Sequence, residues 1–251
     1  MSAVRSGIEE GIARVTLDRP ERHNALVPEL LCDLRKALAE IRASDARVLI
    51  LDASGPSFST GGDVAAFYET ARSDRKAYAQ QVVGELNATL LDLLALPMPT
   101  VAAVHGMVTG GSVGLVLACD IAVVGDGASF APWYTVVGFS PDGGWTTLMP
   151  ERIGRARALD IQLTNRCLDA DEAYRLGLAQ YRAGAHDTGI RALEVARVIR
   201  AARAGSVAHT LALTRPDRTT VAAGLEAEYR HFLEQIVSDE ADRGMAAFLK
   251  R

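Results

Sequence analysis

Residues 8–17 alternate apolar and polar positions around Glu10 and Gly11, a period of two that predicts a β-hairpin. Pro28 then suits the first turn of a helix on which Leu30, Leu31, Leu34, Leu38 and Ile41 share one face. Residues 48–51 form a short continuous apolar run, as in a strand buried on both faces, and begin an α/β alternation. Residues 75–96 repeat Val82, Val83, Leu86, Leu90, Leu93 and Leu94 at helical spacing and stop at Pro97 and Pro99. A second buried strand is predicted at 101–104, a helix at 113–120 and another strand at 121–124. Beyond Leu148 the pattern is helical, with Gly177 as a C-terminal stop. From 190 onward it is almost wholly helical, divided at Gly205, Pro216 and Gly224. A tail of helices without a strand of its own needs a surface to pack on, and another subunit provides one.

Two glycine-rich turns stand out between a strand and a helix. The first spans 52–63 and ends in Thr60, Gly61, Gly62 and Asp63; the second spans 106–114. Such turns leave backbone N–H groups unpaired and let a ligand approach without a Cβ in the way. The helix dipole favours negative charge at the same place. Gly62 and Gly111 are the predicted donors of one shared anion site, with Asp63 at a helix N-terminus.

Composition narrows the partners. The 251 residues are 49% hydrophobic and 23% charged, as in a globular domain, and a net charge of −4 argues against nucleic acid. Cys32, Cys119 and Cys167 are odd in number and lack metal-ligand spacing, so they read as reduced, buried thiols of a cytoplasmic protein. The first ten residues lack a signal-like apolar stretch, and glycines and Asp120 interrupt the longest apolar region, so neither secretion nor membrane insertion is expected. No repeat or low-complexity segment is present.

With both turns in place the chain resembles the crotonase family, the enoyl-CoA hydratases and isomerases. The resemblance rests on Arg19, Pro20, Asn24, Ala25 and Leu26; on the run from Phe58 to Asp63; on residues 101–120; on Ser140, Pro141, Asp142, Gly143 and Gly144; and on Gly244 to Phe248. It implies an α/β fold, a crotonase-like spiral of repeated ββα units over residues 1–189, followed by a helical region at 190–251 that trimerises, often as a dimer of trimers. The implied ligand is an acyl-CoA thioester, with coenzyme A as part of the substrate and no separate cofactor or metal. Its carbonyl oxygen would lie between the Gly62 and Gly111 N–H groups, and losing one such donor would raise the barrier by about 3 kcal/mol. Asn24, Ala25, Leu26, Thr60 and Gly61 would border the nucleotide part, Trp133 and Tyr134 the acyl part, and Asp63 would be a further substrate-binding residue. Lys250 and Arg251 resemble the basic tail that reaches the phosphates of CoA, although Arg243 stands where the family often has an acid.

The chain departs from the hydratase pattern at both acids. Where hydratases carry two glutamates to activate water, this sequence has Gly114 and Tyr134. Asp142 remains, and Val137, Phe139 and Trp145 give it apolar neighbours that raise a carboxyl pKa and strengthen it as a base. The expected reaction is a shift of a β,γ double bond into the α,β position. Asp142 takes the α proton, Gly62 and Gly111 hold the dienolate, and the acid returns the proton to the γ carbon.

Four alternatives accompany it. One makes Asp142 the nucleophile of a hydrolase or dehalogenase; another is hydration by a non-standard acid and base; a third is an acyl-CoA binder without turnover. From a different class, Gly110-Gly111-Ser112-Val113-Gly114 matches the G-x-S-x-G elbow of a serine hydrolase, with His186, His209 or His231 as partner. His105 reads as a core hydrogen-bonding residue and His23 as part of a surface loop. Acyl selectivity would depend on residues 67–78 and the surroundings of Trp133.

Overall fold

The computed structural model describes residues 2–250. Strands β1 (Val4–Glu9) and β2 (Ile12–Leu17) form the hairpin, and Glu10 and Gly11 both take positive φ in its turn. Helix α1 (Pro28–Arg42) buries the predicted Leu30, Leu31, Leu34, Leu38 and Ile41. Then follow β3 (Val48–Ala53), α2 (Val64–Glu69), α3 (Arg72–Leu94), β4 (Thr100–Val104), β5 (Met107–Thr109), α4 (Val113–Leu117), β6 (Ile121–Gly125), β7 (Ser129–Ala131) and α5 (Tyr134–Val137). The remainder comprises α6 (Met149–Ile153), α7 (Arg155–Thr164), β8 (Leu168–Asp169), α8 (Ala170–Leu176), β9 (Tyr181–Ala183), α9 (Thr188–Ala201), α10 (Ala204–Thr214), α11 (Arg218–Gln235) and α12 (Asp239–Phe248).

The main sheet runs β1-β2-β3-β4-β6-β9, parallel except for the hairpin, and a smaller sheet runs β5-β7-β8. Successive strand pairs, β4 with β5 and β6 with β7, send one strand to each sheet before a short helix. This is the crotonase spiral. Along β4 the side chains divide by period two: Ala102 and Val104 join the main core, while Val101 and Ala103 meet Ala192, Val195 and Ala196 of α9 on the other face. Burial on both faces is why these strands read as unbroken apolar runs.

Isolated bridges Leu26↔Gly62 and Ser59↔Val108 extend the smaller sheet toward the two glycine turns. Ser59 donates its N–H to Met107 O at 3.1 Å and accepts from Thr109 N at 3.1 Å. The segments leading to Gly62 and Gly111 therefore run side by side, which brings two distant turns together.

Three expectations change. Gly224 does not divide the helical tail but lies inside α11, where a Cβ would overlap Thr147; Gly205 lies in the first turn of α10. The real break before α10 is at Ala202 and Arg203, both extended. The region after Leu148 also contains β8 and β9, too short to show a period. Of the cysteines only Cys119 is buried, Cys32 and Cys167 being exposed.

The tail divides by environment. Helix α9 covers the sheet, α11 packs on α3, and α12 folds back over α5 and α2 of the same chain. Gly138 and Gly244 make that last crossing close: a Cβ on Gly138 would stand 2.8 Å from Glu240 O, and one on Gly244 would overlap Val137 O. Helix α10 buries no residue, and Val198 near the end of α9 and Leu213 of α10 are 74% and 85% exposed. No helix among the described residues is long and apolar enough to cross a membrane.

Candidate active site

The Gly62 N–H enters no hydrogen bond among the described residues, because the neighbouring contact uses Leu26 N and Gly61 O at 2.7 Å. Gly111 lies in a 3-10 turn, Gly110–Ser112, whose leading N–H groups have no intrahelical partner. Both glycines line one cavity of about 500 Å³. The turn is fixed from below: Trp145 Nε1 donates to Gly110 O at 2.8 Å, and the indole is fully buried. Sequence alone offered Trp145 only as an apolar neighbour.

Ser112 has a structural task. Its hydroxyl is fully buried, donates to Ser59 O and Thr109 O at 2.8 Å and accepts from Thr109 N at 3.2 Å. No histidine bonds to it among the described residues, so the G-x-S-x-G match is not a nucleophile elbow. His105 Nε2 meets Gly55 O at 2.9 Å and is only half-buried; His23 is exposed, with Nδ1 3.0 Å from Ser57 Oγ, at the cavity mouth.

Asp142 sits beside Gly111. A Cβ built on Gly111 would stand 2.8 Å from Asp142 Oδ1 and 2.8 Å from a methyl of Leu86, so only glycine leaves the carboxyl room. Tyr134, at the start of α5, donates its hydroxyl to Asp142 Oδ1 at 2.6 Å. The Asp142 carboxyl is 7% exposed, and burial first, then the charge of Glu228, pushes its pKa up to about 7 against the pull of the Tyr134 hydrogen bond. Burial and the Asp142 carboxylate together keep the Tyr134 phenol protonated far into the alkaline range.

The turn that carries Asp142 rests on the glycine turn, backbone against backbone. A Cβ on Gly143 would stand 2.6 Å from Gly111 Cα, and one on Gly114 would overlap Gly143 O. The space into which a side chain at 114 would project is thus filled by the Asp142 turn itself.

Apolar groups form much of the cavity wall: Leu26, Val82 and Leu86, Val137 and Phe139, Phe232 of α11 and Phe248 of α12. Phe67 flanks the other donor, its ring edge 3.1 Å from where a Gly62 Cβ would be, and stacks edge-on with Tyr78 and Phe139 at 5.1 and 5.7 Å. Trp133 lines the cavity and meets Phe248 at 5.7 Å. The walls from α3, Val82 and Leu86, read in sequence only as core positions at helical spacing, and Phe232 from α11 was not singled out there.

The remaining predicted residues divide. Ala25, Leu26, Thr60, Asp63, Trp133 and Tyr134 line the cavity with Gly62, Gly111 and Asp142. Asn24 and Gly61 do not. Asn24 is fully buried and uses its amide on Arg19 N, Ser54 O and Ser57 O at 2.8–2.9 Å, so it frames the loop instead of meeting a ligand. Gly61, at φ 75°, has Thr109 O where its Cβ would be. Asp63 caps α2 by accepting from Ala66 N at 3.1 Å and pairs with Arg22 at 3.0 Å, an ion pair at the mouth that the sequence did not suggest. Lys250 is exposed beyond α12, and Arg251 lies outside the described residues. No cluster of metal-ligating side chains exists among the described residues.

Spiral fold and site together define an acyl-CoA enzyme of the crotonase type, in which glycines of two adjoining turns line one cavity. The chain belongs to the enoyl-CoA hydratase/isomerase family, whose profile matches residues 7–251. It is similar to 4-chlorobenzoyl coenzyme A dehalogenase-2 of Arthrobacter, 32% identical over 77% of this chain and 70% of that one. It is also similar to the probable enoyl-CoA hydratase echA8 of Mycobacterium tuberculosis, 29% identical over 97% and 93% of the two chains. Among solved structures, the enoyl-CoA hydratase of Bacillus halodurans superposes with a TM-score of 0.91 at 25% identity, covering 98% of this chain and all of that one.

Proposed function

We propose that the protein is an enoyl-CoA isomerase that moves a β,γ double bond into conjugation with the thioester, with Asp142 as its single base. One observation carries the reading. Of the three carboxyl groups lining the cavity, Glu21 is exposed and Asp63 is paired with Arg22, whereas Asp142 is buried beside Gly111.

The thioester oxygen accepts from the Gly62 and Gly111 N–H groups, which makes the α C–H more acidic as charge moves onto that oxygen. Ionised Asp142 removes the α proton, the dienolate rests between the two donors, and the protonated carboxyl returns the same proton to the γ carbon. Proton and electron pair both balance within substrate and Asp142, so no cofactor is drawn upon. The wall near Asp142 is largely apolar, and with glycine at 114 and tyrosine at 134 no second carboxyl is placed to orient water. Ala25, Leu26, Thr60 and the Arg22–Asp63 pair border the CoA part. Helices α9 and α10, with Val198 and Leu213 exposed, supply a trimer or dimer-of-trimers contact, which sedimentation at several concentrations would reveal.

The test is an ultraviolet assay of wild type and Asp142→Asn on a β,γ-unsaturated acyl-CoA, with crotonyl-CoA hydration in parallel. Conjugation by wild type and a loss of orders of magnitude in the variant support the reading. Good hydration by both proteins would refute it.

A second reading is favoured by the aromatic lining and the dehalogenase relative. Asp142 would attack the ring carbon of a halobenzoyl-CoA, expel halide and leave an aryl ester for water to cleave. Release of chloride from 4-chlorobenzoyl-CoA distinguishes it.

A further inference from the structure

Glu228 lies in α11, 84 positions from Gly144 in the chain, yet its carboxylate reaches the turn that carries Asp142. It is 4% exposed, and no lysine, arginine or histidine pairs with it among the described residues. Four donors of the turn take the place of a cation: Gly144 N at 2.8 Å, Thr146 N at 2.9 Å, Thr146 Oγ1 at 2.6 Å and Thr147 Oγ1 at 3.0 Å. One turn earlier on α11, Gly224 has no Cβ, which lets the helix approach Thr147. On its other side the turn presses Gly143 onto Gly111. A buried carboxylate satisfied by one short loop is an expensive way to stabilise a fold, since removing an ion from water is unfavourable and an apolar residue would fill the same space.

We propose that Glu228 is the positioning residue of this site: it clamps turn 142–147 between α11 and the glycine turn, so that the Asp142 carboxyl faces the α carbon of a thioester held at Gly62 and Gly111. This rests on Asp142 acting as base. Glu228 touches neither substrate nor reacting atoms and works through the turn.

Its charge adds a second effect. The titratable groups facing Asp142 are the Tyr134 phenol from α5 and Glu228 from α11; α3 offers Leu86, α12 offers Phe248, and the glycine turn has no side chain. Burial and Glu228 oppose ionisation of Asp142, and the Tyr134 hydrogen bond favours it. A base held in that way returns its proton readily, as a one-carboxyl isomerisation requires.

The test compares full-length wild type, Glu228→Gln and Glu228→Asp. The Asp142 titration is followed by carbon-13 NMR of labelled aspartate, assigned with Asp142→Asn, and isomerisation is measured across pH. In Glu228→Gln the Asp142 midpoint falls, and kcat drops about tenfold or more while KM stays within about threefold, because the turn shifts and the CoA contacts do not. Glu228→Asp keeps the charge on a shorter stem, so the midpoint holds while kcat falls. Wild-type midpoint and kcat in a Glu228→Gln protein that merely melts lower would overturn the proposal. If Glu228→Gln does not fold, wild-type kcat in Glu228→Asp would overturn it equally. Full turnover by Asp142→Asn would instead refute the base assignment, and the NMR midpoint would still report whether Glu228 acts on Asp142.

Discussion

Gly114 and Gly143 are packed so that a Cβ on the first would overlap the carbonyl oxygen of the second, with Leu90 3.0 Å away on the other side. The family resemblance aligns position 114 with a hydratase glutamate, and in this chain the turn of Asp142 and a side chain at 114 exclude each other. Gly114→Glu is expected to lose isomerisation without gaining hydration, and Gly114→Ala to destabilise by about 1–3 kcal/mol through overpacking. Denaturant unfolding and crotonyl-CoA hydration check both. A Gly114→Glu protein of wild-type stability that hydrates crotonyl-CoA would disprove the packing argument.

Asp142 should set the pH dependence of both rate and stability. Its pKa is raised from 3.8 to about 7, so kcat should rise with pH through a midpoint near 7 as the base form appears. For stability the sign is opposite. Folding favours the protonated acid, so this contribution is complete below about pH 4 and is lost as pH climbs through 7. Asp142→Asn should therefore become progressively more stable than wild type between those limits, by about 2–4 kcal/mol above them. Melting curves at pH 4 and 8 read the difference; an equal gap at both would contradict the assignment.

Tyr134→Phe removes the hydroxyl that bonds Asp142 at 2.6 Å and favours its charged form. The acid limb of kcat should move to higher pH, opposite in direction to Glu228→Gln. The fold should lose about 1–3 kcal/mol, the range for a hydrogen bond to a charged group and its unpaired partner. A limb that stays in place would mean that Tyr134 does not tune Asp142.

Phe67 stands between the Gly62 donor and the aromatic cluster of Tyr78, Phe139 and Phe232. Phe67→Ala should cost about 3–5 kcal/mol, as for other buried phenylalanines, and admit bulkier acyl groups. Relative kcat/KM for short and branched or aromatic acyl-CoA thioesters tests this; an unchanged ranking would place acyl selection elsewhere.

Ser112→Ala should leave kcat within about twofold and destabilise by about 1–3 kcal/mol, because the hydroxyl is a buried bridge between Ser59 and Thr109 and not a nucleophile. Loss of turnover without loss of stability would count against that role.

Local patterning by itself determined much of this protein. A period of two gave the hairpin, helical spacing gave α1 and α3, and short apolar segments gave β3, β4 and β6, because each side chain's burial follows the geometry of its own element. The glycine turns were legible too, since only a residue without a Cβ lets a backbone N–H meet a ligand. Asp142 could be named because the two expected glutamates are absent around it. Tertiary structure decided the rest. Asn24 and Gly61 proved to be framing residues, for their partners at Ser54, Ser57 and Thr109 lie far along the chain. The place of Gly224 inside a helix depends on Thr147, a neighbour only in space. Glu228 gave no signal at all, because a glutamate on a helix reads as solvated until the fold brings four donors to it. A sequence records which groups are present and their local rhythm; which distant backbones touch, and how far a carboxyl is withdrawn from water, is settled only when the turns are packed together.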